Sequence, residues 1–167
     1  METVQKNCVM DKESIQRKMR RMALEIAEDN IEEKELIIAG IEGNGEVVAD
    51  NIIRELKNIA PFNTTRIVIH LNKKNPVEIR LSEEISFDNK VVILADDVAN
   101  TGKTMMFALK PFLSAHAKKI QTLVLVERSH KLFPVQTDYA GLSISTTLLE
   151  HIAVETEKGV ISGAWLY

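Results

Sequence analysis

Two adjacent carboxylates, Asp96 and Asp97, stand just ahead of Thr101-Gly102-Lys103-Thr104 in the stretch VVILADDVANTGKTMMFAL. The apolar run VVILA has the character of a buried strand, and a helical pattern begins near Lys103, so the motif bridges the two. Free backbone N–H groups at a helix start, two hydroxyls and the helix dipole favour a phosphate. Carboxylates placed against that phosphate would repel it. A few residues upstream they suit two neighbouring sugar hydroxyls, as hydrogen-bond acceptors. The spacing therefore describes a sugar phosphate held at both ends. Gly-Lys-Thr also closes the P-loops of nucleoside triphosphatases, but those need a glycine five positions before the last one, and that position is Asp97. A P-loop enzyme is disfavoured.

The elements that position this motif are legible from periodicity. Asp11 is suited to cap a helix running to about Asn30, with Glu13 in its first turn and Met10 and Ile15 as a hydrophobic staple. ELIIAGI (35–41) reads as a strand buried on both faces. It leads into Glu42-Gly43-Asn44-Gly45 and a helix that aligns Val48, Ile52, Leu56 and Ile59 on one face. RIVIHL (66–71) and VEIRL (77–81) read as strands joined by the turn NKKNP. IQTLVLVE (120–127) is a third core strand, and Pro111 should end or kink the preceding helix near Lys110. HIAVET and VISGAWLY, separated by Glu-Lys-Gly, read as an antiparallel hairpin, with Trp165 and Tyr167 anchoring its second strand. The pattern predicts an α/β fold with a central parallel sheet and helices on both sides. Ligands in such folds bind beyond the carboxyl ends of the strands, where both glycine-bearing loops, 42–45 and 96–104, fall.

Composition adds bounds. With 167 residues and neither repeats nor a linker, the chain is expected to form one domain over 1–167. A formal charge of -3 excludes a global basic field for nucleic acid, though not a local basic face. No run is long and apolar enough to suggest a membrane span or secretory leader. The single cysteine, Cys8, has no internal disulfide partner, and a cytoplasmic location is expected. Cys8 also lacks a histidine or acidic neighbour, and His70, His116 and His151 carry no metal-ligand spacing. The methionines of the first helix fit core or dimer packing.

An apolar strand, two acids, a short spacer and Thr-Gly-Lys-Thr resemble the PRPP motif of type I phosphoribosyltransferases. Asp11–Asn30, the 42–45 loop, ERSHKLFPVQTDYAG (127–141) and the C-terminal hairpin extend the resemblance to most of the chain, and specifically to the PyrR family. Members of that family are pyrimidine-operon attenuators that are also uracil phosphoribosyltransferases. The resemblance implies a parallel sheet flanked by helices, with a small hood built partly from the termini. It implies transfer of the ribosyl 5-phosphate of PRPP to a free base, most simply uracil, with release of pyrophosphate. Mg²⁺ would be carried by substrate oxygens, with no dedicated protein site. Carried over by position, Asp96 and Asp97 would hold the ribose hydroxyls and be the catalytic pair, and Thr101, Gly102, Lys103 and Thr104 the 5′-phosphate. Glu42, Gly43, Asn44 and Gly45 would form the pyrophosphate loop, and Arg128 and His130 would meet the base. Arg17, Arg20 and Arg21, with Lys18, make a cationic cluster on the first helix, partly where PyrR proteins touch RNA. A homodimer is expected.

The pattern departs from the family at three places. The pyrophosphate loop of PyrR proteins carries basic side chains where this chain has Glu42, which would repel pyrophosphate unless it turned away or met Mg²⁺. Only Asn72–Pro76 connects the strands between which the family has a long flap, leaving Lys73 and Lys74 on a stub that reads first as a solvated turn. Asn100 stands where purine-specific relatives have an aspartate. Two alternatives stay open: a PRPP- or nucleotide-sensing, RNA-binding regulator of pyrimidine gene expression with little catalysis, and a purine-base phosphoribosyltransferase. GLSISTTLLE lacks the lysine the family has nearby, and Leu24 replaces a histidine, so the cationic helix also reads as a solvated face.

Overall fold

The structure is a computed structural model that describes residues 5–147 and 149–167. Its elements run β1 (Asn7–Asp11), α1 (Lys12–Asp29), β2 (Glu35–Ile41), α2 (Asn44–Ile59), β3 (Asn63–Leu71), β4 (Ile79–Leu81), β5 (Val91–Ala99), α3 (Lys103–Ala108), α4 (Lys110–Leu113), β6 (Lys119–Arg128), β7 (Tyr139–Ile144), β8 (Ile152–Glu157) and β9 (Val160–Leu166). Six strands form one sheet in the order β4-β3-β2-β5-β6-β7. Its strands are parallel except β4, which returns antiparallel on β3.

Side-chain alternation along the central strands builds two cores. On one face Leu36, Ile38, Val91, Ile93, Leu123 and Leu125 pack against α1 and α2 through Met19, Met22, Ile26, Val48, Ile52 and Leu56. On the other, Ile37, Ala39, Ile41, Val92, Leu94 and Val124 meet Met105, Ala108 and Phe112 of α3 and α4. The expected helices on both faces are therefore present. Each fully buried Leu or Ile contributes about 1.5–3 kcal/mol relative to exposure, and the central strands are almost entirely such residues. Phe112 is completely buried and meets Phe87 edge-on, with ring centroids 4.9 Å apart.

Local chemistry sets the element ends. The Asp11 carboxylate accepts the Ser14 N–H at 2.8 Å, making the N-cap of α1. Pro111 divides the helical stretch after the motif into α3 and α4, with the break at Leu109. β4 is shorter than the expected 77–81. Two strands carry no clear signal in the sequence. Residues 7–11 pair antiparallel with β9, and residues 139–144 extend the sheet in parallel beyond β6. The first belongs to a three-stranded sheet, β1-β9-β8, built from both ends of the chain. It packs onto the α1 and α2 side through Met10, Ile152, Val154, Ile161 and Ala164.

The chain order sets where a ligand can sit. From β2 the next parallel strand, β3, lies on one side, while β5, β6 and β7 lie on the other. The connections thus leave β2 and β5 in opposite directions and open a crevice beyond their carboxyl ends. The 42–45 and 96–104 loops meet there.

Candidate functional site

β5 continues through the acids to Ala99 instead of ending at Ala95, so Asp96 and Asp97 sit on sheet-anchored backbone. Each carboxylate also folds back on the chain. Asp96 Oδ1 accepts the Asp97 N–H, and Asp97 Oδ1 accepts the Val98 N–H, both at 2.9 Å. Asp96 is only 2 % exposed. Burial, and then the charge of Asp97, push its carboxyl up to about 7, against the opposing pull of Lys73. Such a site lowers its electrostatic cost by gaining hydrogen-bond donors.

The acids line a cavity of about 370 Å³ together with Thr101, Gly102, Lys103 and Thr104. Gly102 adopts φ 84°, the left-handed conformation that lets the backbone turn from β5 into α3. The Lys103 N–H is 3.2 Å from Thr101 Oγ1, and the Met106 N–H donates to the Gly102 carbonyl at 2.9 Å. The Thr101 carbonyl in turn accepts the N–H groups of Leu132 and Phe133, at 2.9 and 3.0 Å. That fastens the segment after β6 to the turn. A Cβ on residue 102 would stand 3.3 Å from the Phe133 carbonyl oxygen.

The 42–45 loop divides between two roles. Glu42 does not line the cavity, and its carboxylate lies 3.2 Å from His70 Nδ1. Gly43 takes φ 91°, and its N–H meets the Glu46 carboxylate at 3.2 Å. Asn44 turns inward. Its amide Nδ2 donates to Asp97 Oδ2 at 3.0 Å and to the Val154 carbonyl at 2.9 Å, and its Oδ1 accepts from Thr156 Oγ1 at 3.3 Å. One side chain thus ties the acid pair to β8. Gly45 lets β5 come close: a Cβ there would lie 3.0 Å from both the Ala95 carbonyl oxygen and Asp96 Oδ1.

Lys73 is the residue the sequence places least well. It leaves the β3–β4 turn and brings its ammonium to 3.2 Å from Asp96 Oδ1 and 3.7 Å from Asp97 Oδ1. Burial acts to lower its pKa, but attraction to Asp96 and Asp97 outweighs that and the net direction is upward. The solvated-turn reading fails for Lys73, because its long stem reaches over the end of β2, a contact no local spacing reveals. His151, Ala153 and Val154 also line the cavity and join it to the hood.

The remaining candidates lie apart. Arg128 ends β6 and donates through Nη2 to the Glu150 carbonyl, while its buried Nε has no partner among the described residues. His130 is exposed, and neither residue lines the cavity. Asn100 does line it, and its buried amide oxygen has no partner among the described residues. On α1, Arg17 pairs with Glu13 at 2.7 Å, Arg20 with Glu55 at 3.4 Å, and Arg21 with Glu25 at 2.7 Å. Arg21 also donates to the carbonyls of Ala140 and Gly141 on β7. Much of the cationic cluster is thus engaged within the chain.

Among the described residues no group of three or more His, Cys, Asp or Glu is arranged to hold a metal. The carboxylates of Asp96 and Asp97, beside the Thr101–Thr104 turn, are hard oxygen donors of the kind Mg²⁺ takes together with substrate phosphates. No described helix is long and apolar enough to cross a membrane.

The phosphoribosyl transferase domain family matches residues 9–157. Bifunctional protein PyrR of Haemophilus ducreyi is 30% identical over 159 residues, covering 89% of each chain. Bifunctional protein PyrR of Fusobacterium nucleatum is 32% identical over 161 residues, covering 90% of this chain and 91% of that one. Among solved structures, a hypoxanthine-guanine phosphoribosyltransferase of Bacillus anthracis superposes with a TM-score of 0.75 at 20% identity, over 95% of this chain and 96% of that one. The hypoxanthine phosphoribosyltransferase of Trypanosoma cruzi gives 0.75 at 16% identity, over 83% and 82%. The structural matches share the fold, and the sequence matches carry the kinship: the chain belongs to the phosphoribosyl transferase family, alongside the PyrR proteins.

Proposed function

We propose that this chain, folding as one domain, transfers the ribosyl 5-phosphate of PRPP to a free nucleobase, uracil first, with release of pyrophosphate. The observation that carries the reading is that the acid pair and the Thr101–Thr104 turn, joined by one strand, line one cavity. In the reaction Asp96 and Asp97 accept hydrogen bonds from the ribose hydroxyls, and the turn receives the 5′-phosphate. This fixes the ribose while the bond from its anomeric carbon to pyrophosphate lengthens and positive charge grows on the ring. Mg²⁺, carried by substrate oxygens, would neutralise the departing pyrophosphate. Within the 42–45 loop the Glu42 and Gly43 N–H groups are taken by the Ile69 carbonyl and the Glu46 carboxylate, so the N–H groups of Asn44 and Gly45, at the start of α2, would serve that charge. The Asn100 amide oxygen, without a partner among the described residues, is suited to an N–H donor on the ligand. Arg128 and His130, at the carboxyl end of β6 but outside the cavity lining, would meet a base only from that edge, and the Arg128 contact to Glu150 ties down the segment that enters β8.

Pyrophosphate release from PRPP with Mg²⁺, measured across uracil, hypoxanthine, guanine, xanthine, adenine and orotate, tests the proposal. Release with uracil alone is expected. Release with a purine alone would move the assignment to purine salvage, and none with any base would refute transferase activity. The short Asn72–Pro76 connection favours a second reading, a PRPP-binding regulator that contacts RNA through Arg17, Arg20 and Arg21. Replacing all three with alanine should then abolish RNA binding, and the engagement of these residues with acids predicts only weak, salt-sensitive binding in the native chain. A homodimer is expected by light scattering; a monomer would contradict it. A cytoplasmic location accords with the single unpaired cysteine.

A further inference from the structure

β3 and β5 are not neighbours; β2 lies between them. At a strand spacing of about 4.8 Å, Lys73 must bridge about 10 Å to reach the acid pair. The turn is built to aim it. Asn72 Oδ1 accepts the Lys74 N–H at 3.0 Å, and the Asn75 N–H donates to the Asn72 carbonyl at 3.0 Å. The acids it reaches are also held in place, Asp97 by Asn44 and Asp96 within the tight approach permitted by Gly45. The ammonium contacts both carboxylates, at 3.2 and 3.7 Å, yet its side chain remains 47 % exposed. It is a counter-ion that can leave.

We propose that Lys73 determines which sugar phosphate the site accepts: it occupies the acid pair in competition with ribose hydroxyls, and a ribose 5-phosphate that also carries a diphosphate displaces it far more readily than one without. The proposal rests on the sugar-phosphate reading of the cavity. Displacing Lys73 forfeits two charge contacts, so a ligand binds well only if it offers the ammonium another anion nearby. A diphosphate beside the acid pair does so. Ribose 5-phosphate brings its only phosphate to the far end of the cavity, at Thr101–Thr104, and leaves the ammonium without a new partner. The 42–45 loop contains no cationic side chain that could serve instead. Lys103, the other lysine lining the cavity, belongs to the phosphate turn.

The test is calorimetric titration of wild type, Lys73→Met and Lys73→Arg with PRPP and with ribose 5-phosphate, in Mg²⁺ at fixed ionic strength. Wild type should prefer PRPP by at least tenfold. Lys73→Met should weaken PRPP and tighten ribose 5-phosphate, shrinking the preference tenfold or more, while Lys73→Arg keeps most of it. Because two ligands of one protein are compared, a general loss of folded protein cannot imitate this result. An unchanged preference in Lys73→Met, or both affinities falling together, would overturn the role of Lys73 and leave the sugar-phosphate site standing. Binding of neither ligand by wild type would overturn both.

Discussion

At the scale of single residues, the acid pair is defined by its environment as much as by its sequence. Asp96 is pushed up to about 7 by burial and by Asp97, so between pH 4 and 7 the folded chain retains a proton that the unfolded chain releases. Stability from this group is complete below its unfolded value and is lost as pH rises toward 7. Asp96→Asn removes that dependence. It should match wild type near pH 4 and be more stable by about 2–4 kcal/mol at pH 8, read as the pH profile of urea midpoints. A constant difference across that range would contradict the assigned pKa. Since the ionised carboxylate is the better acceptor for ribose hydroxyls, PRPP affinity of wild type should rise from pH 6 to 8. The pair itself was legible because two adjacent acids before a phosphate turn have few purely structural uses. Lys73 was not, since its partners lie 23 and 24 positions away across an intervening strand.

At the scale of elements, strand periodicity announced β2, β5 and β6, whose burial on both faces produces unbroken apolar runs. The end of β5 was hidden, because Asp96 and Asp97 resemble loop residues although β6 pairs with the strand as far as Ala99. β7 was hidden too. YAGLSI carries glycine and serine at an edge position, and Gly141 is there because a Cβ would fall 2.5 Å from the Leu125 carbonyl oxygen. Gly45 plays a comparable part at the site, permitting α2 to begin against β5. Gly45→Ala should push on the Ala95 carbonyl and the Asp96 carboxylate, costing about 1–3 kcal/mol and weakening PRPP binding. Thermal unfolding and calorimetry on one variant check both effects; native stability with native affinity would show that the close approach is dispensable.

At the scale of the whole molecule, the switch in chain direction between β2 and β5 places the Thr101–Thr104 turn, the acids and Asn44 of the 42–45 loop around one crevice. The hood completes it from the other side, since β8 contributes Val154 and is tied through Asn44 to Asp97. The C-terminal hairpin was readable from its turn, but its third strand, β1, was not, because pairing of residues 7–11 with β9 joins opposite ends of the chain. Every part of this arrangement serves one claim, that the acid pair holds the ribose of PRPP. The most direct measurement is a calorimetric titration of PRPP with Mg²⁺ into wild type and Asp97→Asn. Loss of hydrogen bonds to a charged acceptor, worth about 1.5–3 kcal/mol, predicts a tenfold or greater fall in affinity with the fold intact. Equal affinity in the two proteins would contradict the account.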